Sequence, residues 1–237
     1  MKILFRVLLA VLVVSTVTFA ADEKDKEKQD ERLKNAGMVM SEILKVPDNI
    51  PQDLLDKAKC VVVIPSVVKA AFIVGGSYGR GTMVCRSGKS LSGGWSAPAM
   101  MVLEGGSVGF QIGGEATDFV LLVMNDHGAR SLLHSKVKLG GDVSVAAGPV
   151  GRTAEANTDA YLRSEILTYS RARGLFAGVS LEGASLRADK EGNEALYGKD
   201  VSPEQIVLGP SPATPPAAHE LVALLEKASP TSRAHKS

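Results

Sequence analysis

Residues Gly105, Gly106, Ser107, Val108 and Gly109 fit G-x-S-x-G, the pattern that presents a nucleophilic serine on a sharp strand-to-helix turn. Asp118, Asp126, His127 and His134 follow, in the Ser–Asp–His chain order of α/β-hydrolases. The chemistry implied is acyl transfer, with a histidine taking the serine proton and a carboxylate orienting the ring. The local rhythm argues against it. An elbow needs a helix directly after the serine, whereas Val108, Phe110 and Ile112 alternate among Gly109, Gly113 and Gly114. That is a strand pattern built with poor helix formers. Ser107 is read as a small polar residue of a glycine-rich hairpin, and no catalytic residue is expected.

Other reactive constellations are weaker still. His127, His134, His219 and His235 are scattered, without the ligand spacing of a metal centre. Residues 189–193 (DKEGN) lack the alternating carboxylates and terminal glutamate of a calcium loop and read as a surface turn. The glycine-rich run 75–81 has no G-x-x-x-x-G-K-[ST], so it is not a phosphate loop. No cofactor is expected.

What remains is cationic. Lys69, Arg80, Arg86, Arg152, Arg171 and Arg173 lie beside glycine turns, where backbone and guanidinium can approach a phosphate closely. Trp95, the single tryptophan, joins this candidate set as an interfacial side chain, although the apolar strand after it favours a core position. Cys60 and Cys85 allow one disulfide or two separate buried thiols; their places at the edges of a predicted hairpin favour the disulfide.

Lys2 and Arg6, an apolar run over residues 7–14 and small residues at 18 and 20 read as a secretory signal peptide cut before Ala21, the alternative being an uncleaved anchor over residues 3–21. Removing its two basic residues leaves 25 against 26 acidic ones, so a wholesale polyanion binder, nucleic-acid binders included, is not expected. The protein is expected to be exported, periplasmic or secreted, and peripherally attached to a membrane.

The elements that must hold these residues follow from periodicity. Residues 31–46 show helical spacing, with Leu33, Gly37, Met40 and Leu44 near one face. A short helix is expected from Pro51 to Lys59, another over 126–134, a helical turn at 191–197 and one capped by Ser202 over 203–207. Strands are expected at 60–64, 70–74, 82–85, 97–103 and 119–124, with glycines 75–81 as a joining segment. Residues 137–147 read as one strand with a bulge at Gly140-Gly141, and 161–169 and 175–186 as further strands. The class is α+β: a mainly antiparallel, strongly curved, glycine-rich sheet with an N-terminal helix and short peripheral helices, its closure into a barrel left open. The organisation is a signal peptide (1–20), a charged lead-in with the start of the helix (21–36), a domain (37–209), a Pro-rich linker (210–216), and a short helix with a disordered tail (217–237).

Several dispersed blocks resemble the SYLF lipid-binding domain family: AKCVVVIP at 58–65, IVGGSYGRGTMVCR at 73–86 and GGWSAPAMMVLEGGSVGFQIGGEATDFVLLVMN at 93–125. LGGDVSVAAGPVGR at 139–152, YSRARGLFAGVSLEGASL at 169–186 and Asn193 with Tyr197-Gly198 follow in family order. The resemblance implies a binding module and not an enzyme. Eukaryotic members bind phosphoinositides and some bind actin. Lacking the SH3 or FYVE domains of those members, this chain is expected to meet anionic phospholipid headgroups through the cationic side chains and the helix at 31–46, and not actin. The alternative is a structural or protein-interaction module of the cell envelope that docks through residues 217–228.

Overall fold

The computed structural model describes residues 2–46, 49–71, 75–88, 91–107, 116–151, 161, 163–172 and 175–231, with the backbone alone for 2–22, 69–71, 75 and 106–107. The helices are α1 (Lys2–Lys45), α2 (Gln52–Lys57), α3 (Asp126–His134), α4 (Lys190–Tyr197), α5 (Pro203–Val207) and α6 (His219–Ala228), the last preceded by a 3-10 turn at Pro216–Ala218. The strands are β1 (Cys60–Ala71), β2 (Gly75–Cys85), β3 (Ala99–Ser107), β4 (Ala116–Val123), β5 (Val137–Lys138), β6 (Val145–Ala147), β7 (Ile166–Ala172), β8 (Leu175–Gly178) and β9 (Ser185–Ala188). They form one sheet in the order β5-β9-β3-β2-β1-β4-β7-β6, with β8 also on β7. Every pairing is antiparallel except β6 with β7, so the predicted α+β class and antiparallel character hold.

Residues 137–147 correct the single-strand reading. Gly140 takes φ +79 and turns the chain, so β5 and β6 part and lie at opposite ends of the strand order. Residues 139–144 therefore join the two edges of the sheet, which must curl to bring them together. Leu139 bridges Val143 there, and Gly140 N donates to Val143 O at 2.9 Å.

A second correction concerns glycines 75–81, expected as a joining segment. They belong to β2, because β1 runs on past residue 64 to Ala71. Its register against β2 shifts between Val63 and Val68. At this bulge Ser66 adopts φ 51, and its N–H donates to Asp118 Oδ1 at 2.8 Å. The bulging strand leans over β2. A Cβ on Gly81 would lie 2.0 Å from Val63 O, and one on Gly79 2.5 Å from Val67 Cγ2. Only glycine fits that approach.

Both faces of the sheet are covered. Cys60, Val62 and Ile64 join the inner core with Met101, Leu121, Val137, Val143 and Leu186, filled from outside by α3 and α5. Val61 and Val63 face the other way, onto α1, α2 and α6. Two covered faces explain the unbroken apolar run of β1. Leu33, Ala36, Val39, Met40 and Ile43 of α1 are all buried. The apolar face expected to touch a membrane is thus spent on the sheet and on α6. Leu221 and Leu225 of α6 are fully buried as well, so residues 217–228 pack against the domain and are not a free docking piece. Ser202 caps α5 with a complete capping box, as its sequence predicts.

Candidate functional site

The strand ends define a rim. β1, β3 and β7 end there, and β2, β4 and β8 begin there, as shown by the pairs Gly75 with Ser107, Val68 with Ala116 and Ala172 with Leu175. Four large apolar side chains are exposed among the described residues: Met38 at 50%, Val68 at 55%, Tyr78 at 48% and Leu175 at 77%. Val68, Tyr78 and Leu175 belong to this rim. Of the predicted cations, Lys69 lies at the rim opposite Ser77, and Arg171 lies opposite Asp118 two strands away. Arg171 is already engaged: its Nη2 donates to Asp118 Oδ2 at 2.6 Å, and its Nη1 meets Glu42 of α1. It ties the helix to the sheet beneath the rim.

Below the rim a cleft of 680 Å³ opens between α1 and α4, lined by Asp25, Lys28, Gln29, Arg32, Arg80 and Glu191 among others. A groove of 330 Å³ shares Lys28, Arg32 and Arg80 with it and leads to Pro65, Val68 and Tyr78. Alternation along β2 places Tyr78, Arg80, Thr82 and Val84 on the α1 side of the sheet. Burial, then the positive charge of Arg80, pulls the Arg32 guanidinium below its usual range. Arg32 carried no sequence signal; it sits inside the charged helix start that reads as solvated lead-in.

Arg86 corrects the sequence reading, and Trp95 takes the core position that the apolar strand after it favours over an interfacial one. Arg86 is 0% exposed, and Trp95 7%. Both lie at the far end of β2 from the rim. The guanidinium stacks 4.4 Å from the Trp95 ring centre. Its Nη2 donates to Ser229 O at 2.5 Å, Trp95 Nε1 donates to the same carbonyl at 3.3 Å, and Gln52 Nε2 reaches Ala228 O at 2.8 Å. Buried Asp56 accepts from Ser229 Oγ. These groups satisfy the last carbonyls of α6, so their role here is to fasten the C-terminal helix. Arg152 and Arg173 lie outside the described residues, as does the alternating segment 108–112. Among the described side chains of that set, Arg86 is buried at the end of β2 far from Arg171 and the rim, so these are not gathered into one basic face.

Cys60 and Cys85 stand opposite each other on β1 and β2, both fully buried, with their Sγ atoms 2.11 Å apart. The residues that could have completed a serine triad are engaged separately. Asp118 pairs with Arg171, Asp126 with Lys59, His127 with Glu165 and His134 with Glu204. Ser107 ends β3 in an antiparallel ladder. Asp189, expected on a surface turn, is 2% exposed: it caps α4 through Gly192 N, and Asn193 Oδ1 accepts from Met100 N at 2.7 Å. Among the described residues no cluster of three or more His, Cys, Asp or Glu could hold a metal ion, and no helix is long and apolar enough to cross a membrane.

In sequence the chain is similar to several known proteins. The chain is 39% identical over 180 residues to protein YSC84 of Saccharomyces cerevisiae, covering 75% of this chain and 37% of that protein. It is 38% identical over 173 residues to LAS seventeen-binding protein 3 of the same yeast, covering 70% and 37%. It is 36% identical over 200 residues to the human SH3 domain-containing YSC84-like protein 1, covering 81% and 57%. The chain thus spans between about a third and three-fifths of the length of these relatives. A family model described as Ysc84, Las17-binding protein actin regulator, matches residues 104–228. That segment holds the strands from the end of β3 to β9, the capped helices and α6, and with it the chain belongs to the Ysc84 family, whose common unit is the SYLF domain.

Proposed function

We propose that this protein is an exported, non-enzymatic binding module that docks on anionic phospholipid through the sheet rim. The observation that carries the reading is the exposure of Val68, Tyr78 and Leu175 at one rim, where β1 also carries Lys69, in register with Ser77. Apolar side chains beside a cation suit the boundary between headgroups and acyl chains, where burial and phosphate attraction act together. Arg86 and Trp95 have no part in it, and α1 supports the rim from beneath. The signal peptide before Ala21 would bring the protein to an oxidising compartment, where Cys60 and Cys85 form a disulfide.

A second reading is supported by the names of the relatives. The family description is that of an actin regulator that binds Las17, so the expectation that actin is no partner has no support from the comparisons, and a protein-binding module is the rival. Flotation with vesicles of phosphatidylglycerol or cardiolipin, against phosphatidylcholine, tests the first reading. The protein should float with the anionic vesicles at low salt. Val68→Ser with Leu175→Ser should weaken this roughly tenfold, the scale of losing buried apolar area. No flotation at low salt, with co-sedimentation on filamentous actin, would replace the lipid reading by the protein one.

A further inference from the structure

The cleft between α1 and α4 has a floor made of two guanidinium groups from different elements, Arg32 on α1 and Arg80 on β2. Each is held from behind. Gln29, itself 3% exposed, accepts from Arg32 Nη1 at 2.6 Å. Tyr78 Oη accepts from Arg80 Nε at 2.7 Å, and the buried carboxylate of Asp189 stands 3.3 Å from the same nitrogen. The outer N–H groups are left to the cleft. Among the described residues, Arg32 Nε and Nη2 and Arg80 Nη1 have no protein partner. Arg80 Nη2 reaches only Glu191, at 3.5 Å, a side chain that is 86% exposed.

The charge at this floor does not balance. Two guanidiniums face one buried carboxylate; of the other lining charges, Lys28 pairs with Asp25, Glu194 pairs with Lys190 beside the cleft, and Lys199 adds a further cation to the lining. Glu191 is in water and counts for little. Two like charges held together from separate elements favour a shared anion. Two planar forks converging on one space match the several oxygens of a phosphate. The groove past Lys28 and Arg80 to Pro65, Val68 and Tyr78 then offers an apolar path from that anion to the rim.

We propose that Arg32 and Arg80 form a phosphate subsite that takes the headgroup of an anionic lipid whose apolar part lies along Val68 and Tyr78. The lipid source rests on the membrane reading above; the phosphate chemistry does not. Calorimetric titration of the exported protein at low salt tests it, with inorganic phosphate, glycerol 3-phosphate, dihexanoyl phosphatidylglycerol below its micelle concentration and a short polyglutamate peptide. The lipid monomer should bind best and glycerol 3-phosphate more weakly. Arg32→Gln should lower affinity about tenfold, the scale of one charge-assisted bond. It breaks a single contact, with Gln29, so an unchanged melting curve separates lost binding from lost fold. Arg80→Lys, which keeps the charge but not the fork, should also bind more weakly, while Lys227→Gln on the distant α6 binds as the wild type. Equal binding of phosphate and lipid monomer would overturn the lipid assignment and keep the oxyanion site. Binding of the peptide alone, no binding of any phosphate, or wild-type affinity in Arg32→Gln would overturn the subsite. In those cases flotation with anionic vesicles still decides the membrane reading on its own.

Discussion

The link between Cys60 and Cys85 gives the most direct quantitative test. The two residues are 25 apart in sequence. Closing a loop of that length in the unfolded chain is worth about 3.5 kcal/mol at 25 °C in the chain-entropy account. For a protein of this size that corresponds to a melting shift of roughly 7–14 °C. Both side chains are fully buried, so a reductant reaches them only through unfolding, and a simple incubation would miss the effect. The assay is equilibrium unfolding in urea of protein purified under oxidising conditions, with and without a phosphine reductant. The double variant Cys60→Ala, Cys85→Ala serves as the control that cannot respond. Reduced and oxidised wild type should differ by about 3.5 kcal/mol, and the control by nothing. A difference below about 1 kcal/mol would refute the reasoning that the cross-link restrains the unfolded chain. Two titratable thiols in the denatured, unreduced protein would remove the bond itself.

Three further outcomes can be checked. Gly81→Ala should cost about 3 kcal/mol or more in thermal or urea unfolding, because its Cβ would meet Val63 O at 2.0 Å; Gly183→Ala, at φ +85 in open space, should cost only about 1 kcal/mol. Lys136, then Arg187, hydrogen-bonds Glu104 and holds its carboxyl below the usual value of 4.5. A folded-state value below the unfolded one stabilises above the unfolded pKa and is lost as pH falls through the folded one, so Glu104→Gln should lower stability at neutral pH and flatten the acid limb of a pH–stability curve. Deleting residues 210–237 should yield protease-sensitive or insoluble protein, since it uncovers the seats of Leu221 and Leu225, each worth about 1.5–3 kcal/mol, and leaves Arg86 without Ser229.

What could be read from the chain was what its local chemistry decides. Asn125 and Ser202 cap the helices that follow them with their own side chains, so α3 and α5 were visible at their true bounds. The glycines of β2 were not, because low strand propensity argued for a joint. The reason for them is a neighbouring strand that bulges over β2, which is a tertiary fact. Residues 137–147 alternate well enough to pass for one strand; that they serve two distant ladders depends on how the whole sheet curls. Arg86 reads as a surface cation after a strand, and only Ser229, 143 residues later, puts it inside. In the candidate site Arg80 was visible beside its glycines. Its companion Arg32 was hidden in a run of mixed charge, where nothing local marks which residue turns inward.

The turn at residues 139–144 has one more consequence. An open sheet can peel from either edge, one strand at a time. Here β5 and β6 are the two ends of the strand order, and the same few residues hold both, with Leu139 N on Ala184 O and Ile166 N on Ser144 O. Loosening one end therefore pulls on the other. Partial opening from the margins is suppressed, and the hydrogen-bonded amides of β1, β2 and β4 should exchange with solvent only when the sheet opens as a whole. The same arrangement keeps both terminal strands from recruiting a strand of another molecule.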